Sequence, residues 1–226
     1  MNAAVIRFPG SNREGDIARA LTQASGRKTP ILWHDEAELP PRTDLVVLPG
    51  GFSYGDYLRC GAIAARARIM DAVRAHAARG GLVLGVCNGF QILCEAGLLP
   101  GVLMRNAGRT FICRRQHLRV ENAATAFAKG YAKGQVIDVA IAHGEGNFVA
   151  EVSVIAAIES GGRVAYRYCD AFGDVTRENP NGSVNAIAGI YSERFNVLGM
   201  MPHPENLIDA LVGGTDGRAM FAALAG

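Results

Sequence analysis

The chain has 226 residues, of which 49% are apolar and 28 are glycine, and its formal charge of +2 comes from well-mixed signs. No run of Lys or Arg is long enough to track a phosphate backbone, which argues against a nucleic-acid partner. No stretch approaches the roughly 18 apolar residues of a membrane span, and the start MNAAVIRFPGSN lacks a basic region and a long apolar run, so a soluble, cytoplasmic protein without a membrane partner is expected.

The first apolar run, residues 3–8, reads as a buried strand and ends in the turn Pro9-Gly10-Ser11-Asn12. Runs at 31–33 and 45–48 read in the same way, and the second of these ends in Pro49-Gly50-Gly51. Ile63, Ala67, Met70, Val73 and Ala77 recur every three or four residues and predict one amphipathic helix. Another strand, 82–86, leads straight into Cys87. From about 111 to 175 the strands read as shorter and more polar, which predicts an antiparallel excursion. A final strand at 197–201 ends in Pro202-His203-Pro204-Glu205, and a C-terminal helix is expected over 218–224 with Thr215 or Asp216 as its cap.

Alternation of strand and helix predicts an α/β fold with a mostly parallel open sheet, helices on both faces and a few added antiparallel strands. The length fits a single domain over residues 1–226, with no linker or repeat to divide it. In open α/β sheets ligands bind beyond the carboxyl ends of the strands, so the segments that follow the strands are the first suspects.

Five cysteines form no C-x-x-C pair, no zinc spacing and no disulfide framework. Cys87 differs from the others because Gly85 and Gly89 flank it at a strand-to-helix junction, the arrangement of a nucleophile elbow with cysteine in place of serine. Glycines there admit a strained turn and a close helix–strand approach, and the helix N-terminus favours a thiolate. Taken alone, the same pattern also describes a small buried core cysteine. His203 lies between two prolines that hold the chain extended, so Glu205, two residues on, projects to the same side and can orient the imidazole. Nucleophile, base and orienter are then all present. Attack on an amide also needs N–H donors for the oxyanion, for which Gly51 and Asn88 are the candidates. No Gly-rich segment fits a P-loop. On residues alone, three readings stand open: an amide-hydrolysing subunit, a stand-alone hydrolase with the same triad, and a flavodoxin-like binding module with an inert thiol.

The segments PGGFSYGDYLRCG, CNGFQ, HGEGNF, NPNGSVNAIAGI and MPHPE together resemble the class I (triad) glutamine amidotransferases along the whole chain. The resemblance implies a flavodoxin-like sheet, a triad of Cys87, His203 and Glu205, and an oxyanion hole at Gly51 and Asn88. It further implies that Gln91 and the loop of His143, Gly144 and Glu145 hold the glutamine substrate. No cofactor or metal is expected on this chain. The resemblance implies glutamine as the substrate and, as partners, a large synthetase subunit that uses ATP and magnesium and a small accessory subunit. One departure is visible, since members usually continue HPE with Arg and this chain has Asn206.

Overall fold

The computed structural model describes all 226 residues. In chain order the elements are β1 (Ala3–Arg7), α1 (Glu14–Ser25), β2 (Ile31–Trp33), β3 (Leu45–Leu48), α2 (Ile69–Ala78), β4 (Leu82–Val86), α3 (Asn88–Glu95) and β5 (Val102–Met104). They continue with β6 (Ile112–Val120), β7 (Val136–His143), β8 (Asn147–Val149), α4 (Val152–Ser160), β9 (Val164–Tyr168), β10 (Ile187–Tyr191), β11 (Val197–Met200) and α5 (Arg218–Ala225).

Nine strands form one sheet in the order β2-β1-β3-β4-β11-β10-β9-β6-β7, and β5 pairs with β8 in a separate ribbon. The first five are mutually parallel and the remaining four extend the sheet antiparallel. Composition follows pairing. All residues of β3 and β11 are buried, as parallel strands covered on both faces require, whereas β7 alternates partly exposed and buried positions. From β1 the chain steps outward to β2, then returns past β1 to β3 and on to β4. Right-handed crossovers in opposite directions put their helices on opposite faces. A continuous core of 55 buried residues runs along the sheet.

The register places the site. Val83 to Val86 of β4 lie beside Val197 to Met200 of β11, and the Cys87 N–H donates to the Met200 carbonyl at 2.8 Å. The segments after these two strands therefore leave the sheet side by side.

Three expectations need correction. The stripe from Ile63 to Ala77 is not one helix, because a 3-10 turn at Ala64–Arg66 ends in extended Ala67 (ψ 150°) before α2 begins. There Arg74 Nη2 donates to the Ala65 carbonyl at 2.7 Å and the Ile69 N–H to that of His34, tying the turn to neighbours that a straight helix would miss. The strands of the middle region are not all short, since β6 has nine residues and β7 eight, although β8 has three. The two long strands pair from Ile112↔His143 to Arg119↔Val136, with Cys113, Arg114 and Arg115 exposed while Gln116 and His143 are buried. Neither Thr215 nor Asp216 caps α5: the capping position is Gly217, and the Asp216 carboxylate instead accepts the Asp138 N–H at 2.8 Å.

Candidate active site

Cys87 occupies the turn between β4 and α3 with φ 52° and ψ −108°, a region few side-chain-bearing residues tolerate. The neighbouring glycine explains how the turn is held. A Cβ at Gly89 would lie 1.9 Å from the Leu48 carbonyl oxygen, so α3 packs on β3 at a distance only glycine allows. The thiol is buried and donates to the Ala142 carbonyl at 3.7 Å.

His203 and Glu205 follow β11 and are 2% and 0% exposed. Imidazole Nδ1 and carboxylate Oε1 are 2.7 Å apart, and the His203 N–H donates to Ala140 of β7 at 2.8 Å, fixing the backbone between the two prolines. Nε2 is buried without a partner. Burial opposes charge on this ring, but the Glu205 carboxylate and the adjacent Cys87 outweigh it and raise the pKa to about 10. Histidine is thus held ready to be an imidazolium beside the sulfur. With the S–H turned to Ala142, a rotation of the thiol separates this resting pose from a sulfur–imidazole hydrogen bond.

Gly50 marks where the loops converge. A Cβ there would lie 2.7 Å from His203 Cε1, 3.3 Å from Arg13 Cγ and 3.5 Å from Cys87 Cβ, so four strand ends meet around one missing side chain. The Gly50 carbonyl accepts from the Asn12 and Arg13 N–H groups, both at 3.3 Å, on the β1 side of β3. In a trans peptide C=O and N–H point opposite ways, so the Gly51 N–H is directed toward the β4 side, where Cys87 lies. Asn88 is the first residue of α3, where backbone N–H groups have no partner within the helix. Its side chain locks the loop that follows β3, accepting the Ser53 N–H at 3.2 Å and donating to Gln91 Oε1 at 2.9 Å.

Gln91 is buried, not lying open to solvent, and Nε2 donates to the Glu145 carbonyl at 2.6 Å, 54 positions away. Both ends of its amide are engaged, so it ties α3 to the loop 143–147. Glu145 reaches back, accepting the Cys60 S–H at 3.1 Å and facing Arg105 at 3.5 Å. Burial first, and then the repulsion of Glu145, raise the pKa of nearby Asp56, while a hydrogen bond from Cys60 opposes them. Gly144 sits at the tip of that loop, and its carbonyl accepts the Asn106 N–H at 2.9 Å. His143 is 3% exposed.

Sequence reasoning missed the side chains that hold this loop. Asn106 Nδ2 donates to the carbonyls of Thr110 and His143, and its Oδ1 accepts the Gly146 N–H. Asn181 Nδ2 donates to the Gly146 carbonyl at 2.7 Å and to the Tyr168 hydroxyl at 3.1 Å, and Ser183 Oγ donates to the same carbonyl. Asn181 and Ser183 lie in NPNGS, part of a segment that carried the family resemblance without pointing to a role for either side chain. Asn206, the departure from the usual Arg, is half-buried beside Glu205, and its N–H donates to the His203 carbonyl. A cleft of about 710 Å³, lined by Ala77, Leu98, Arg163 and Val197 among others, opens at the other end of the sheet and touches none of these residues.

Comparison with known proteins agrees with this geometry. The family described as the CobB/CobQ-like glutamine amidotransferase domain matches residues 1–215. The phosphoribosylformylglycinamidine synthase subunit PurQ of Rhodopseudomonas palustris (strain BisB18) is 64% identical over 225 residues, covering 99% of this chain and 97% of that protein. Its counterpart in Rhizobium meliloti (strain 1021) is 56% identical over 223 residues, covering 99% and 97%. Among solved structures, PurLQS from Thermotoga maritima contains a chain that superposes with a TM-score of 0.86 at 40% identity, covering 99% of this chain and 96% of that one. With the match to the family spanning all but the last eleven residues of the chain, and the buried cysteine, histidine and glutamate converging as such chemistry needs, this protein belongs to the CobB/CobQ-like glutamine amidotransferase family.

Proposed function

We propose that this chain is the glutaminase subunit of phosphoribosylformylglycinamidine synthase, releasing ammonia from glutamine for a larger synthetase subunit. One observation carries the chemistry: the buried His203–Glu205 pair set against Cys87 on a strained elbow. The Cys87 thiolate attacks the γ-carboxamide carbon, and the oxyanion that forms is met by the N–H groups of Gly51 and Asn88. Collapse of the intermediate breaks the C–N bond, and the His203 imidazolium gives its proton to the departing nitrogen, leaving a γ-glutamyl thioester and ammonia. Water then attacks the thioester with His203 as base, releasing glutamate and restoring the thiol. Glu205 holds the imidazole and stabilises its charged form throughout.

The partner assignment is supported by the PurQ relatives and by the PurLQS structure. In that reading the synthetase subunit uses ATP and magnesium to convert formylglycinamide ribonucleotide to formylglycinamidine ribonucleotide with the ammonia delivered, and a small accessory subunit completes the cytoplasmic complex. No helix here is long and apolar enough to cross a membrane. On the oxyanion loop, Tyr57 and Leu58 are 74% and 88% exposed, apolar surface suited to a docked partner. Docking would adjust the Gly50–Gly51 peptide, whose carbonyl rests on two long hydrogen bonds, and so complete the hole. The test is glutamate release by the pure chain, then with synthetase, accessory subunit, acceptor nucleotide and ATP added. A large rise on assembly is expected. An unassembled rate already equal to the assembled one would replace this reading with a stand-alone hydrolase.

A further inference from the structure

Asn106 and His143, 37 positions apart, determine each other's chemistry. Asn106 Nδ2 donates to two carbonyl oxygens at 2.9 Å, which fixes the orientation of its amide and leaves Oδ1 able only to accept. Oδ1 receives the Gly146 N–H at 3.0 Å and faces His143 Nδ1 at 3.2 Å. The proton between Oδ1 and Nδ1 therefore belongs to the imidazole. His143 is locked as the Nδ1–H tautomer, and Nε2 carries a bare lone pair.

That Nε2 is buried and has no partner in the protein. An unmet buried acceptor is destabilising, so its natural complement is a donor that arrives with a ligand. The position agrees. His143 closes β7 directly after Ala142, whose carbonyl takes the Cys87 thiol, and Ala140 of the same strand bridges to His203. The ring stays uncharged, because burial first and the neighbouring His203 second hold its pKa down to about 4. Unlike His203 it has no carboxylate beside it and takes no part in proton transfer.

Resting on the glutaminase reading, we infer that His143 Nε2 accepts a hydrogen bond from the carboxamide –NH2 of the substrate and so selects an amide over the ester or carboxylate of the same skeleton. A fixed lone pair meets an N–H favourably and repels the lone pairs of an ester or carboxylate oxygen. The same contact that holds glutamine disfavours glutamate once the nitrogen has left.

The experiment uses the assembled complex and compares kcat/KM for glutamine with kcat/KM for glutamate γ-methyl ester, which presents the same acyl group without N–H donors. His143→Phe keeps the ring volume and removes the lone pair. His143→Asn keeps a polar tie to Asn106 but does not reach the Nε2 position, so one of the two reports even if the other fails to fold. Both should lose about 10- to 100-fold on glutamine and change little on the ester, collapsing the amide preference. His143→Gln, which restores an acceptor near the Nε2 position, should recover part of that preference. Equal losses on both substrates would reduce His143 to a packing residue and overturn the inference. Wild-type complex that turned over neither substrate would instead remove the glutaminase reading, and the inference with it.

Discussion

The two halves of the sheet hold the site by different means. On the parallel side the work is done by backbone: Cys87 is aimed by a positive φ, α3 is drawn in by Gly89 beneath the Leu48 carbonyl, and the Gly50 carbonyl is held by two N–H groups. On the antiparallel side buried polar side chains do it, with Asn106, Asn181 and Ser183 all gripping the turn at Gly146. The proposed nucleophile and base need placement to a fraction of an ångström, which rigid strand ends supply. A loop that shapes a substrate can be set by side chains and adjusted one residue at a time. The parallel half should therefore answer substitution by losing chemistry or the fold, and the antiparallel half by losing affinity and stability in smaller steps.

The largest effects test the first part of that contrast. Cys87→Ala and His203→Ala should each cost about 10⁶ in glutamate release by the assembled complex, and Glu205→Gln about 10⁴, since the carboxylate orients without transferring a proton. Activity that survived Cys87→Ala but vanished with Cys94→Ala would move the nucleophile elsewhere. Gly50→Ala comes next, losing about 10²- to 10³-fold with the fold intact, because its Cβ would press on His203 Cε1 at 2.7 Å and shift the Gly51 N–H. Gly89→Ala should instead lower thermal stability sharply, because the atom it meets is the backbone carbonyl of Leu48.

In the antiparallel half, Asn181→Ala removes the nearer of the two donors to the Gly146 carbonyl and should destabilise by about 1 kcal/mol, raising KM for glutamine more than it lowers kcat. Steady-state kinetics beside a melting curve separate the two quantities, and a collapse of kcat at unchanged KM would erase the distinction between the halves. A smaller, pH-dependent effect comes from His143. Its folded pKa of about 4 lies below the ordinary 6.5, so between those values the unfolded chain binds the extra proton. Stability from this group is present above pH 6.5 and falls as the pH drops toward 4, and His143→Phe should flatten that part of a stability profile. His203 has the opposite sign: its contribution holds below pH 6.5 and is lost as pH rises through about 10. The smallest effect is expected from Cys113→Ser, an exposed thiol of the antiparallel half, which should alter neither melting temperature nor rate measurably.

What was legible in the sequence follows the same division. Cys87, His203, Glu205, Gly50 and Gly51 lie immediately after apolar strands, so local pattern located them before any contact was known. The polar clamp on Gly146 was not legible, because Asn106 and Asn181 approach it from 40 and 35 positions away through turns of ordinary composition. Gln91 was assigned to substrate by resemblance, yet its amide is engaged with Asn88 and Glu145, a partnership that depends on how α3 meets the loop. The extended break at Ala67 was hidden for another reason: alanines at helical spacing pack equally well in a 3-10 turn.

The position of β11 has a consequence for how the chain is made. It is the last strand in sequence, yet it lies in the middle of the nine, and with β10 it forms a hairpin wedged between β4 and β9. Before that hairpin docks, β2-β1-β3-β4 and β9-β6-β7 share no strand pairing and exist as two half-sheets. A nascent chain leaving the ribosome therefore carries the unpaired apolar edge of β4 from residue 86 onward and that of β9 from residue 168, the condition under which strands recruit wrong neighbours. Closure comes in a single late step. Since His203 and Glu205 follow β11 directly, that step also brings the imidazole to the thiol, and on the proposed chemistry an unfinished chain cannot consume glutamine.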